Sequence, residues 1–413
     1  MKTIEIEVST ACGTGGLPPQ LLALAGKKTT WSADEHNAFG LIAIVTAPPM
    51  YVGFSLADTW AHHRYLAAVD PFEKHLALRQ EWKDLDPHQK TILADDWGMG
   101  FPLLYLMESL DLVHFAPTDY WVKSLELTTG TKLALKKGKR GPPKLPDFVG
   151  IDTAGRYHAI ECKGTQTSRS ALASAIAHGV PQVENLRSPG ALPPAMHACF
   201  DSWLVAGLYI PMAGKKTRPL LQVADPDFSA LSSLIEQAGG IEAVGRAISL
   251  TALCQQLAAI GLRRLATVLF SGKAQRGDVD LVRAQADISD EAQGAGFYKT
   301  SDAWVADRNS QLFRPEGLDA AARIRQAKSS YSAPVELVES LTATITDSGV
   351  VDRQALDEIL AGLLDTQDQH LESRRAPFNE GRRPTPWISA EEDGMSRLKS
   401  EFGIQIETVL EEH

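Results

Sequence analysis

Two short apolar runs, Phe148-Val149-Gly150-Ile151 and Tyr157-His158-Ala159-Ile160, flank the polar stretch Asp152-Thr153-Ala154-Gly155. Apolar runs of this length around a glycine-ended turn predict a β-hairpin. Side chains of a strand alternate between its two faces. Glu161 and Lys163 therefore share a face with Tyr157 and Ala159, while His158, Ile160 and Cys162 take the other. Upstream, residues 91–113 carry Trp97, Phe101, Leu104 and Met107 at helical spacing. Pro102 predicts a kink there, or a place in the helix's first turn. Downstream, Ser168 is a good N-cap for a helix of small residues, which Gly179 is expected to end before Pro181 opens a second helical turn. Residues 199–211 and 218–228 read as two strands around a Gly-Lys-Lys turn, extending the sheet. The first ten residues, MKTIEIEVST, read as a strand, followed by the loop CGTGGLPP.

The pattern changes beyond residue 226. Residues 228–270 are rich in Ala, Leu, Ile and Gln with helical periodicity, 296–313 suggest a hairpin, and 315–365 return to helix. The expected division is an N-terminal extension over 1–30, an α/β domain over 31–226, and a mainly helical C-terminal domain over 227–413. A polar, flexible stretch is expected near 366–390, with two Arg-Arg pairs and several prolines. No repeat of solenoid length is visible.

Composition adds bounds. The chain has 413 residues, 44% of them hydrophobic, which suits an ordinary globular protein. No apolar run reaches membrane-span length, and the start lacks a signal peptide's apolar stretch. Four scattered cysteines, Cys12, Cys162, Cys199 and Cys254, make neither a zinc motif nor a disulfide framework, so a reduced, cytoplasmic protein is expected. His62-His63 lack companion ligands, and a structural role is expected. No phosphate-binding glycine loop and no Gly-x-Ser-x-Gly elbow occurs.

The candidate chemistry lies on the hairpin. If the two strands pair as read, Asp147 comes beside Glu161, and Lys163 joins them. Paired carboxylates suit Mg²⁺, which takes one or two of them plus water and substrate phosphate. A bound metal activates water, and a nearby ammonium offsets developing negative charge. The net charge of −10 opposes nucleic-acid binding. Locally it does not: residues 132–144 carry Lys132, Lys136, Lys137, Lys139, Arg140 and Lys144 without an acid, directly before Asp147. Lys136, Lys137, Lys139 and Arg140 are candidate phosphate contacts. The competing reading of the hairpin is an edge strand with a surface ion pair, and of the basic segment a solvated loop.

The order Pro146-Asp147, hairpin, Glu161-Cys162-Lys163 resembles the PD-(D/E)xK nuclease superfamily of restriction endonucleases, resolvases and RecB-like exonucleases. The resemblance implies a restriction-endonuclease-like mixed central sheet flanked by helices. It implies a Mg²⁺-dependent deoxyribonuclease, with Mn²⁺ able to substitute, and a setting such as bacterial restriction or anti-phage defence. Asp147, Glu161 and the Cys162 carbonyl would be its metal ligands and Lys163 its catalytic lysine. A helix acid often completes such sites; Asp96 is preferred here over Glu108. A glutamine on the helix after the lysine matches Gln182, although the tyrosine expected four residues later is Leu186, which favours a surface glutamine. The acidic balance points to a homodimer or a partner protein of a defence complex in assembling a DNA channel. The alternative is a catalytically inactive nuclease fold kept for nucleic-acid binding or complex assembly.

Overall fold

The computed structural model describes residues 1–9, 17–46, 64–65, 67–129, 145–187, 200–226, 241–259, 262–274, 279, 297–303, 325–362, 388–392, 395–399 and 405–412. The basic segment 132–144, His62-His63, and most of the 366–390 stretch lie outside these residues. The chain divides into two compact units, the first comprising Met1–Thr46 and Arg64–Ala252.

The first unit is built on a seven-stranded mixed sheet. Its strands are β1 (Lys2–Val8), β2 (Lys28–Ala33), β3 (Leu112–Pro117), β4 (Phe148–Asp152), β5 (Tyr157–Thr165), β6 (Phe200–Tyr209) and β7 (Leu220–Ala224). They lie in the order β2-β1-β7-β6-β5-β4-β3. The pairs β1–β7 and β5–β6 are parallel, and the others are antiparallel. The expected hairpin is β4–β5, with Val149 opposite Ala159 and Ile151 opposite Tyr157. Gly155 turns it at φ 73°, a conformation cheap only for glycine. The Asp152 carboxylate fixes the same turn, accepting from the backbone N–H groups of Ala154 at 2.9 Å and Arg156 at 2.8 Å. The Gly-Lys-Lys turn likewise joins the antiparallel strands β6 and β7.

The first thirty residues are not an extension. Strand β1 inserts between β2 and β7, because Ile4, Ile6 and Val8 alternate into the core and need a sheet to cover them. Nor does the unit stop at residue 226. The helix Ile241–Ala259 brings Val244, Ala247 and Ile248 into the core cluster that holds Tyr157 and Trp203.

Helices cover both faces of the sheet. In chain order the first helices are α1 (Pro19–Leu22), α2 (Glu35–Thr46), α3 (Pro87–Leu110), α4 (Thr118–Thr129) and α5 (Arg169–Arg187). Asp86 caps α3, accepting from the His88 N–H at 2.8 Å, and Pro87 occupies the first helical position, where its missing N–H costs nothing. Pro102 lies inside α3. Ser168 caps α5 as expected, through the Ala171 N–H at 3.0 Å. That helix does not end at Gly179 but runs through it and Pro181 to Arg187.

Among its described residues, the second unit differs from the mainly helical expectation. It holds a five-stranded antiparallel sheet: β8 (Phe297–Ala303), β9 (Arg325–Pro334), β10 (Ile388–Glu392), β11 (Met395–Lys399) and β12 (Gln405–Glu412), in the order β10-β11-β12-β9-β8. Helices Arg263–Ser271 and Val335–Ala343 accompany it. Segments such as Gln405–Glu412 combine helix-forming Glu and Leu with β-branched Ile, Thr and Val, so local preference does not separate the two states.

Candidate active site

The parallel pairing of β5 with β6 and the antiparallel turn of β4 bring three side chains to one end of the sheet. Asp147 immediately precedes β4, and its Oδ2 accepts from the Cys162 N–H at 2.8 Å. Glu161 lies on β5 with no exposed surface. Its Oε1 accepts from both the Lys163 ammonium and the Gln182 side-chain amide. Its Oε2 is buried and has no hydrogen-bond partner.

Glycines set how close the flanking helices come. A Cβ on Gly179 of α5 would stand 3.1 Å from Glu161 Cγ and 3.4 Å from Lys163 Cε. The helix lies directly over the two side chains, and the next turn delivers Gln182. On the opposite face, Gly98 of α3 meets Gly164 of β5. Glu161 and Gly164 differ in strand parity, so α3 and α5 sandwich this strand. The expectation of Gln182 as a surface residue thus gives way to one that touches Glu161.

Burial of two neighbouring carboxylates shows in their acidity. Burial, then the Asp147 charge, push the Glu161 carboxyl up to about 8, against the opposing pull of Lys163. Burial likewise raises Asp147, despite the Cys162 N–H and the Lys163 ammonium. Burial disfavours the Lys163 ammonium, but Glu161 and Asp147 outweigh it and its pKa is raised, so it stays charged. The Cys162 thiol is held well above its usual range by burial and by the two carboxylates, which leaves it no thiolate at neutral pH.

These features fit a divalent cation. Oε2 of Glu161 is a buried acceptor lacking a donor, and Asp147 beside it is a second hard oxygen ligand. A cation would relieve the penalty that raises both carboxyls. Among the described residues, no group of three or more His, Cys, Asp or Glu gathers to hold a metal. Two carboxylates suffice for Mg²⁺, which keeps several waters.

The two helix acids weighed from the sequence are placed elsewhere. Asp96 is buried and accepts from the Tyr65 hydroxyl, and burial first raises its carboxyl. Glu108 accepts from the Trp31 indole at 2.7 Å. The acid on the site's side is Asp95, which feels the Lys163 charge and is itself felt by Asp147. Helix geometry explains this. Ala94 and Gly98, at i and i+4, form the face that touches Gly164. At about 100° per residue, Asp95 stays beside that face while Asp96 turns away. Small residues at i and i+4 were the available signal.

No family model matches the chain, and neither does any curated protein or solved structure. Among the described residues, no helix is long and apolar enough to cross a membrane.

Proposed function

We propose that the first unit is a Mg²⁺-dependent nuclease that hydrolyses phosphodiester bonds in DNA. The observation carrying this reading is Glu161. It is a fully buried carboxylate with one oxygen engaged by Lys163 and Gln182, and the other without a partner beside Asp147. A buried carboxyl left half-satisfied costs stability, and such an arrangement is expected where the missing partner is a ligand.

Asp147 and Glu161 would hold the cation, with the Cys162 carbonyl as the backbone ligand that the family resemblance implies. When bound, Mg²⁺ would lower the pKa of an attacking water and screen charge on the phosphate. Lys163 keeps its proton and directs positive charge at the same point, where it offsets charge developing on a non-bridging phosphate oxygen or orients the water. Gln182 fixes the Glu161 rotamer. The Gly179 contact shields the pair from bulk solvent, which strengthens each of these electrostatic effects. The restriction or anti-phage setting, and a dimer or partner that completes a DNA channel, belong to the same proposal.

The test is plasmid cleavage with Mg²⁺ or Mn²⁺ by the full chain, beside Asp147→Ala and Lys163→Ala. Loss of about 10²–10³-fold is expected for Lys163→Ala, the scale of one lost charge-stabilising donor. Equal cleavage by all three proteins would sink the reading. A second reading, an inactive nuclease fold serving binding or assembly, draws on the acidic balance and the two-carboxylate donor set. It requires a folded chain that binds no divalent metal.

A further inference from the structure

A cleft of about 390 Å³ opens on the α3 side of β5, walled in part by Ala94 and Gly164 and so across the strand from the Glu161 and Lys163 side chains. Its walls include Lys83, Lys90, Thr91, Thr165, Gln166 and Thr167. Its volume falls at the small end of ligand pockets, which run from about 300 to 1,000 Å³. The walls are tied together, since the Gln166 side-chain amide donates to the Lys90 carbonyl at 3.0 Å. That bond joins the first turns of α3 to the end of β5.

The lining specifies a ligand class. Lys83 and Lys90 have no ion-pair partner among the described residues, so two ammonium groups stand on the wall against one carboxylate, Asp95. Thr165 Oγ1 accepts from the Thr167 N–H at 3.2 Å, which leaves its hydroxyl proton to donate. Thr167 and Gln166 add further donors. No lining residue is aromatic, so no base-stacking platform exists. Ala94 and Met212 are the apolar side chains on the wall. Asp95, the one acid on the wall, marks the junction with the catalytic end, since Lys163 and Asp147 feel its charge.

We infer that this cleft holds the phosphate–sugar backbone of the cut DNA strand where it runs past the end of β5 toward the scissile bond, without reading its sequence. The inference rests on the nuclease reading for its choice of ligand. Cations and neutral donors without aromatic or base-edge partners serve phosphates, which position a strand but carry no sequence information. The cleft also supplies local positive charge in an acidic chain.

The experiment measures anisotropy of a fluorescent single-stranded oligonucleotide on the full chain across a salt titration. Ca²⁺ replaces Mg²⁺ so that the strand is not cut. Lys83→Ala/Lys90→Ala is compared with wild type and with Lys27→Ala/Lys28→Ala, a pair at the start of β2 on the opposite sheet end. The cleft variant is expected to bind about tenfold more weakly. Its log K against log salt slope should be shallower by about 1.4, at about 0.7 per phosphate contact. The control should keep the wild-type slope, and two unrelated oligonucleotide sequences should respond alike. Thr167→Glu, an exposed change, should weaken binding without loss of fold. An unchanged slope in Lys83→Ala/Lys90→Ala, an equal fall in the control, or no wild-type binding would each overturn the inference. A slope change without plasmid cleavage would keep the cleft and remove the nuclease reading. Cleavage with an unchanged slope would do the reverse.

Discussion

Gly98 of α3 lies so close to Gly164 of β5 that a Cβ on Gly98 would fall 2.4 Å from the Gly164 nitrogen. The reciprocal Cβ on Gly164 would fall 1.7 Å from the Ala94 carbonyl oxygen. Both obstacles are backbone, so neither moves aside as a flexible side chain would. Gly164 directly follows Lys163, and this contact therefore sets the height of the Glu161–Lys163 end of β5 under the helix.

Gly164→Ala is expected to cost about 1–3 kcal/mol, the usual range for overpacking, read as a lower urea midpoint at unchanged slope. Gly155→Ala is the comparison. Its Cβ meets nothing within 4 Å, and its cost comes from the φ of +73° alone. That cost is about 1–2 kcal/mol and carries no effect on the site. Wild-type stability in Gly164→Ala would mean that the helix does not cross the strand here.

The neighbouring acids Asp95 and Asp96 should separate cleanly. Asp96→Ala removes the acceptor of the buried Tyr65 hydroxyl and should cost about 1–3 kcal/mol of stability. Asp95 is exposed at the cleft, and Asp95→Ala should stay within about 0.5 kcal/mol of wild type. Cleavage should fall more in the folded Asp95 variant than in the folded fraction of the Asp96 variant. The opposite ranking would return Asp96 to the site.

Much of the geometry of the candidate site was legible because it is local. The β4–β5 hairpin follows from two apolar runs and a glycine turn, and its register then puts Asp147 beside Glu161 without further information. What stayed hidden depends on distant partners. The place of β1 is set by parallel pairing with β7, whose residues lie some two hundred positions away in the chain. Gly179 reads locally as a helix terminator, whereas its function is close approach to Glu161 and Lys163. Asp95 and Asp96 differ only in which way α3 is rotated against the sheet, and that is decided by Ala94 and Gly98 meeting Gly164.

Stability of the metal-free chain should fall with rising pH across the range from about 5 to about 8. Glu161 has its folded pKa raised from 4.5 to about 8, so between those values the folded state holds a proton that the unfolded state releases. A state that binds more protons loses stability as pH rises. Asp147, also raised, adds in the same direction. Asp152, lowered by His158 and Arg156 against the effect of burial, acts only at more acidic pH. Urea unfolding in EDTA at about pH 5.5 and about pH 8 checks this. Glu161→Gln should flatten the dependence; an unchanged slope in that variant would locate the titration elsewhere.

Divalent metal should reverse that loss. Mg²⁺ or Mn²⁺ binding only the folded state stabilises it by about 2.7 kcal/mol at a hundred times its Kd. For a unit of this size that corresponds to a rise in Tm of about 2–4 °C per kcal/mol. Protons compete with the metal for Glu161 and Asp147, so the rise should be larger at about pH 8 than at about pH 6. Glu161→Gln removes the unpartnered Oε2 as an anionic ligand and should abolish most of the shift while the chain stays folded. Lys163→Ala should retain the shift, or enlarge it, because the ammonium competes with the cation for the same carboxylate. This pair of outcomes separates a metal site from a plain ion pair. In a plain ion pair neither variant changes the response to metal, and the wild-type Tm does not move with it at either pH.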